Sequence, residues 1–277
     1  MNGELSAIRS DKRRQLLAAL ALEVGRPLSH ELLANRLWDE GPPPSAVASI
    51  YSHVSRMRSQ LRKAVAAEGL DESRDTPAID CRSHTYALRA DPQLIDWHRF
   101  VDLSLRARQL TENGEDIQAR TVLGRAEEIW RGEPLAGLPG SWAQSTRTTM
   151  ADQRLATTLL RIEIDLRLGR FAEVVPELTA LREQRPTDER VAAHLLVALH
   201  GAGRQADALT VYPTVVRRLR TELGTGPGEA LVRLHERMLA GEPLTGPGPR
   251  AGPAPRPAPP PAPPPPHPPR GGGGARG

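Results

Sequence analysis

Aromatic residues and cysteine are scarce in this chain of 277 residues. Aromatics make up only 3% of the sequence, so the core must rest on Leu, Val, Ile and Ala, which favours helices over a β-sandwich. The single cysteine, Cys81, excludes an internal disulfide framework, and the eight histidines show no metal-ligand spacing. No phosphate-binding loop, nucleophile elbow or carboxylate pair stands out either. We therefore expect no metal, no cofactor and no enzymatic activity.

Lysine and long apolar runs are also missing. Of the 37 basic residues only Lys12 and Lys63 are lysine, a skew typical of a GC-rich bacterial genome. No apolar run approaches the roughly 18 residues of a membrane span, and the N-terminus is charged rather than signal-like. The sequence therefore predicts a soluble, cytoplasmic protein that does not contact a membrane.

Proline is concentrated at the C-terminus. Residues 241–277 hold 15 of the 27 prolines and end in a run of glycines, a composition that cannot bury much apolar surface. This segment is predicted to be a disordered Pro/Gly-rich tail. It is interpreted as a tolerated low-complexity segment, with docking to a partner's aromatic groove as the alternative.

Residues 1–90 show the pattern of three helices followed by a hairpin. The first helix is expected near residues 12–24, the second begins at Ser29, a good N-cap, and the third begins at Ser45. Alternation at residues 79–88 predicts a two-stranded hairpin, with Cys81 as a small core residue. The helical positions predicted to be buried are Leu16, Leu17, Leu20, Val24, Leu32, Leu33, Leu37, Val47, Ile50, Val54, Met57 and Leu61. Three helices and a hairpin describe a winged helix-turn-helix domain.

Residues 91–240 are predicted to be almost wholly helical. Asp96 is expected to cap a helix, and a second helix is expected at residues 117–130. The stretch Leu168-Gly169-Arg170-Phe171-Ala172 recurs as Ala202-Gly203-Arg204-Gln205-Ala206, an offset of 34 residues. This is the period of TPR repeats, in which paired helices stack on a shared face. The fold class is therefore mainly α: a winged helix-turn-helix domain, a TPR-like helical domain and the tail.

The third helix carries the strongest functional signal. Residues 41–67 contain no acid, and the helical face opposite the buried stripe holds small polar and basic side chains that suit a DNA major groove. A solvated surface helix would have a similar composition, but the adjacent hairpin places cations at a wing tip, where they can reach a neighbouring phosphate. The candidate DNA-binding residues are Ser45, Ala48, Ser52, His53, Ser55, Arg56, Ser59, Lys63, Arg82 and His84.

With these residues placed, the chain resembles the antibiotic regulatory proteins, the SARP family of actinobacterial transcriptional activators. Its first half is similar to the OmpR-type DNA-binding domain of two-component regulators and its second half to the bacterial transcriptional activation domain. The resemblance covers residues 3–240. It is carried by Asp11–Leu17, Leu28-Ser29, Leu33–Trp38, His53–Arg58, Ile95–Phe100, Trp130–Leu135, Gly203–Leu209, Glu222–Gly224 and Pro227-Gly228.

The resemblance implies an activator that binds direct repeats in double-stranded DNA upstream of antibiotic biosynthetic genes. It would be nucleoid-associated, would recruit RNA polymerase through its sigma or alpha subunit, and would self-associate on DNA. By the same resemblance Arg56 points at base edges, while His53 and Arg82 lie near phosphate or the minor groove. One departure is Thr85 before Tyr86, where the family usually has glycine.

Two further expectations concern function and the N-terminus. The rival hypothesis is a TPR-type interaction scaffold that has lost DNA binding, although a scaffold has no reason to keep residues 41–67 free of acids. The family also opens with a short β-sheet, of which residues 4–8 would supply one strand. The sequence therefore leads us to expect that the natural N-terminus is missing and that the winged domain is looser than its helical partner.

Overall fold

The computed structural model describes Ile8, residues 10–67, Gly69, residues 76–242 and Leu244. The Pro/Gly-rich tail predicted after residue 240 falls outside these residues except at 241, 242 and 244, as does all but Ile8 of the strand expected at residues 4–8. Within the described residues the chain forms ten α-helices and three β-strands.

The N-terminal unit consists of three helices and a small sheet. Its elements are α1 (Asp11–Leu22), β1 (Leu28–Ser29), α2 (His30–Leu37), α3 (Ala46–Ala67), β2 (Ala78–Arg82) and β3 (Thr85–Arg89). The helices pack on one another and on the inner face of the sheet, where Leu16, Leu33, Ile50, Ile79 and Tyr86 are fully enclosed. This is the winged helix-turn-helix arrangement that the sequence predicts.

The sheet has the strand order β1-β3-β2, and both pairings are antiparallel. Arg82 lies opposite Thr85, so a two-residue turn of Ser83 and His84 closes the hairpin, and both turn residues have positive φ. Strand β1 was not predicted, because two residues are too few to show an alternating pattern. It pairs Leu28 with Tyr86 and thereby ties the wing to the start of α2.

Helix α2 begins as predicted. The Ser29 Oγ accepts a hydrogen bond from the Leu32 backbone N–H at 3.2 Å. This satisfies one of the amide donors that the first turn of a helix leaves without a partner.

Three predictions of burial in this unit are wrong. Leu32 and Val47 are 40% and 44% exposed, because each lies at the edge of its helix's apolar stripe, where none of the described elements covers it. Cys81 lies on the same face of β2 as Ile79 but is exposed, because it is next to the wing tip, beyond the edge of the core. The apolar stripe of α3 is therefore narrower than its sequence suggests.

The C-terminal unit is wholly helical. Its elements are α4 (Asp96–Glu112), α5 (Asp116–Glu128), α6 (Ser141–Arg167), α7 (Phe171–Gln184), α8 (Glu189–Gly201), α9 (Gln205–Arg218) and α10 (Glu229–Leu239), with a 3₁₀ turn at Pro92–Leu94 and a π turn at Leu219–Leu223. Helix α8 lies at the centre and packs against α6, α7, α9 and α10. Asp96 is the first residue of α4 rather than its cap; its Oδ1 accepts from the backbone N–H of Trp97.

The 34-residue repeat corresponds to two equivalent helix–helix turns. Gly169 and Gly203 adopt φ of 76° and 75°, a left-handed conformation that glycine reaches without strain. The Leu168 N–H donates to the Ile164 carbonyl at 2.9 Å. The equivalent bond 34 residues later joins the Ala202 N–H to the Ala198 carbonyl, also at 2.9 Å. Gly114, with φ of 78°, makes a third turn of this kind between α4 and α5. The helical unit is thus a stack of hairpins.

The two units are joined by hydrogen bonds around the start of α6. Asp39, in the loop after α2, accepts from both the backbone N–H and the hydroxyl of Ser141, at 2.9 and 2.8 Å. The side-chain amide of Gln15 donates to the Pro139 carbonyl at 2.7 Å. These bonds fix the winged-helix unit against one end of the longest helix.

Aromatic packing and a second polar contact reinforce this junction. The Trp142 side chain packs against the core of the winged-helix unit, and the Arg36 guanidinium lies over its ring with 5.7 Å between the guanidinium carbon and the ring centroid. His98 of α4 places its Nε2 2.9 Å from the Ala21 carbonyl. The winged-helix unit therefore contacts the helical unit at both α4 and α6.

Candidate nucleic-acid interface

Helix α3 presents a continuous polar face to solvent. The side chains of Ser45, Ala48, Ser52, Ser55, Arg56 and Lys63 are exposed, whereas Ser59 is half-buried. Ser45 precedes the helix, which begins at Ala46. The opposite face is anchored by Ile50, Val54 and Met57, each at most 3% exposed. Seven of the ten predicted residues are thus brought together in a row on or just before one helix.

The wing extends the same surface. Arg82 and His84 are exposed at the hairpin tip, and the His84 carbonyl accepts a hydrogen bond from the His30 N–H at 3.2 Å. The tip is therefore held at the N-terminal end of α2, next to α3. A cation at this position can reach the backbone of a nucleic acid that lies along α3.

Aromatic and imidazole rings fill the junction between wing and helix. His30 contacts Tyr51, His84 and Tyr86 with ring centroids 5.1–5.5 Å apart. Burial, assisted by the nearby charge of His84, lowers the pKa of His30. Burial, with smaller contributions from Cys81 and Tyr51, raises the pKa of Tyr86 to about 12. His30 and Tyr86 are therefore uncharged at neutral pH, and Arg56, Arg82 and Lys63 contribute positive charge to the surface.

His53 lies apart from the polar face. It is half-buried on the side of α3 that meets α1, and its Nδ1 is buried without a hydrogen-bond partner among the described residues. Burial, then the charges of Arg13 and Arg56, lowers its pKa. In the protein without bound DNA, His53 is therefore mainly neutral at pH 7.

Three exposed residues on the wing side of α3 were not among the predicted site residues. Tyr51 is 45% exposed and packs on His30 and Tyr86, while Arg58 and Arg62 border a groove beside β2. At 100° per residue they continue the polar face beyond Ser55. In the sequence, these three residues lie at the edge of the apolar stripe of α3. This position could have identified them as exposed, since the stripe is narrower in the structure than the sequence suggests.

The described residues hold no group of three or more His, Cys, Asp or Glu side chains that could bind a metal ion. In the same part of the chain, none of the helices has the length and apolar character needed to cross a membrane. The chemistry of the site is that of hydroxyl, guanidinium and ammonium donors on a convex surface. Such donors recognise acceptors on phosphates and base edges.

Comparisons with known proteins agree with this architecture. The profile of the family "Transcriptional regulatory protein, C terminal" matches residues 6–71, and that of the "Bacterial transcriptional activator domain" matches residues 95–239. A winged helix-turn-helix followed by this helical domain defines a class of transcriptional regulators.

The relatives narrow the class. Regulatory protein AfsR of Streptomyces griseus is 37% identical over 85% of this chain and 23% of its own length. Regulatory protein DnrI of Streptomyces peucetius is 30% identical over 84% of this chain and 85% of its own. The chain belongs to the SARP family of transcriptional activators. The chain spans about a quarter of the length of the AfsR proteins that it matches, 23% of each.

A solved structure extends the likeness to three dimensions. Mycobacterium tuberculosis EmbR, determined in complex with a low affinity phosphopeptide, matches with a TM-score of 0.77 and 31% identity. The match covers 85% of this chain and 60% of the EmbR chain. The relative placement of winged-helix and helical units is thus part of a shared fold.

Proposed function

We propose that this chain is a sequence-specific DNA-binding transcriptional activator. The observation that carries the proposal is the exposed, acid-free polar face of α3 beside a wing that ends in Arg82 and His84. Small side chains such as Ala48 and Ser52 let the helix enter a major groove. There Arg56 can donate to O6 and N7 of a guanine in bidentate fashion.

We further propose a division of labour along the chain. Residues 1–90 bind DNA, and residues 91–240 mediate self-association on direct repeats and contact the sigma or alpha subunit of RNA polymerase. The helical unit carries 20 basic against 21 acidic residues, a balance that suits protein contacts better than phosphate contacts. This function requires no catalytic step and places the protein in the cytoplasm, on the nucleoid.

The relationship to AfsR and DnrI favours control of an antibiotic or other secondary-metabolite gene cluster. The test is to capture genomic fragments on the full chain at near-physiological salt and to sequence them. We expect enrichment of a few intergenic fragments that contain direct repeats. Binding that shows no fragment preference would contradict the proposal and favour the scaffold hypothesis.

Polymerase recruitment has its own test. On a promoter fragment found in this way, the full chain should increase retention of RNA polymerase holoenzyme. It should also increase transcript yield in a purified system. Specific DNA binding without either increase would show that the chain binds DNA but would refute the activator function.

A further inference from the structure

A cleft of about 1100 Å³ lies where the winged-helix unit meets the helical unit. Helix α1 supplies one wall through Ala18, Ala21 and Leu22. The other wall consists of α4, the end of α5 and the turn at residues 130–135. Clefts between two domains are preferred positions for small-molecule sites, and DNA recognition as proposed above does not use this one.

Aromatic side chains gather on the helical wall. Trp97 and Phe100 stack with ring centroids 5.7 Å apart, and Trp130 meets Phe100 edge-on at 5.2 Å. All three line the cleft, and the two tryptophans are only partly buried. Their open ring surface is suited to a planar aromatic molecule, which would gain both apolar burial and favourable ring geometry.

Three arginines at the edge of the cleft offer donors to an anionic group. Arg99, Arg125 and Arg131 are exposed at its edge, and none of them has an ion-pair partner among the described residues. Of the four acids that line the cleft, Glu133 pairs with Arg147 at 3.7 Å and Asp96 accepts from the Trp97 N–H at 2.7 Å.

The remaining two cleft acids are Asp102 and Glu128. The Asp96 carboxylate keeps its charge, because its hydrogen-bond donor is a backbone N–H, so the three guanidinium groups stand against three carboxylates without an ion pair among the described residues. Guanidinium groups bind carboxylate oxygens through short, charge-assisted hydrogen bonds.

Trp130 adds an unused donor. Its Nε1–H is buried and has no acceptor among the described residues, while the Arg154 guanidinium lies over the same ring, 4.9 Å from its centroid. A buried donor without an acceptor is costly. An oxygen brought beside this ring by a bound molecule, with a small shift of the side chain, would satisfy the group.

We propose that this cleft binds a planar aromatic molecule that carries an acidic oxygen, with its ring against Trp97 and Trp130 and its anionic group beside Arg99. Helix α1 forms the opposite wall, so the bound molecule contacts both units. A molecule that binds only while the two units are packed together stabilises this arrangement by mass action. The site thus offers a route by which a small molecule acts on the placement of the winged helix.

The test uses the full chain and anthraquinone-2-carboxylate as the probe, measured by isothermal titration calorimetry. Two comparison compounds separate the contributions: anthraquinone-2-carboxamide keeps the ring without the charge, and cyclohexanecarboxylate keeps the charge without the aromatic ring. We expect one-to-one binding of the probe with a Kd below about 1 mM. Both comparison compounds should bind at least about tenfold more weakly, since each lacks one of the two interactions.

Variants place the binding in the cleft. Arg99→Gln and Trp130→Phe should each weaken probe binding about tenfold, by removing a charged or an indole donor. Arg106→Gln, an exposed arginine on α4 that does not line the cleft, should leave binding unchanged. Arg99 is exposed, so its variant keeps the test decisive even if Trp130→Phe fails to fold. No saturable binding, equal binding of acid and amide, or equal effects of Arg99→Gln and Arg106→Gln would overturn the proposal.

Discussion

The carboxylate of Asp39 accepts both the backbone N–H and the hydroxyl of Ser141, a residue 102 positions further along the chain. Helix α6 has Gly140 at its N-cap and no capping side chain of its own. Asp39 therefore acts as the cap of this helix from the other structural unit. The two hydrogen bonds lower the pKa of Asp39 and keep it ionised at neutral pH. Its negative charge also interacts favourably with the positive N-terminal end of the helix dipole.

Replacing Asp39 should loosen the junction between the units. In Asp39→Ala the Ser141 amide loses its acceptor, so we expect faster hydrogen exchange at this amide and a lower midpoint of thermal unfolding. Asp39→Asn retains an acceptor and should lie between this variant and the wild type. Glu40→Ala is the matched control, an exposed acid one residue away. Equal exchange of the Ser141 amide in Asp39→Ala and Glu40→Ala would refute the capping role.

Replacing each of two helical glycines by alanine should change the free energy of unfolding in opposite directions. A Cβ at Gly201, the last residue of α8, would collide with the Phe171 ring, whereas at Gly124 in α5 the nearest atom would be 3.5 Å away. We expect Gly201→Ala to lower the free energy of unfolding by about 1–3 kcal/mol through overpacking. Gly124→Ala should raise it by up to about 1 kcal/mol through helix propensity. Urea denaturation measures both, and equal effects would show that the α7–α8 contact tolerates a methyl group.

Arg161 is the central ion of the helical unit. It is only 7% exposed and donates to Glu127 at 2.6 Å, to Asp165 at 3.0 Å and to Glu177, thereby joining α5, α6 and α7. Its removal leaves Glu127 and Glu177 without an ion-pair partner among the described residues, whereas the buried Asp165 keeps Arg120 at 3.1 Å. We expect Arg161→Met to cost about 3 kcal/mol in urea unfolding.

A more exposed arginine on the same helix provides the control for this prediction. Arg167 pairs with Asp116 and Glu163. Arg167→Met should cost no more than about 1 kcal/mol, because such pairs are screened by solvent. A loss for Arg161→Met as small as that for Arg167→Met would contradict the assigned role.

The buried His194 should make the helical unit sensitive to acid. Burial foremost lowers the pKa of this imidazole, whose Nδ1 lies 2.7 Å from the Arg190 carbonyl. The folded state keeps it neutral, whereas the unfolded chain takes up a proton below about pH 6.5. The stabilisation is thus complete above this pH and is lost as the pH falls towards the lowered pKa.

His194→Gln should therefore flatten the pH dependence of the free energy of unfolding between about pH 7 and 5, by at most about 1.4 kcal/mol per pH unit. Denaturation curves collected across this range measure the slope. An unchanged slope in the variant would show that other groups dominate the acid response.

Local patterns predicted the elements of this fold well. The Ser29 cap, the hairpin around Ser83 and His84, and the glycine turns at 169 and 203 all depend on neighbours in sequence. The wrongly placed residues, such as Val47 and Cys81, lie at stripe or strand edges, where burial depends on what packs there.

Contacts between distant parts of the chain were beyond the reach of these patterns. Neither the Asp39 cap nor the cleft between the units has a local signature. The polar face of α3 could be predicted from the sequence because helical periodicity defines it. Its extension through Tyr51 could not, because the Tyr51 ring packs on His30 and Tyr86, which are distant in sequence.

The most direct test of the account is the effect of Arg56→Ala on binding to a DNA fragment captured from the genome and to a scrambled version. Fluorescence anisotropy should show a loss of about 1–3 kcal/mol on the captured fragment and a smaller change on the scrambled one. Arg106→Ala, an exposed arginine on α4, should change neither affinity. If Arg56→Ala binds both fragments as the wild type does, α3 is not the element that recognises the DNA sequence.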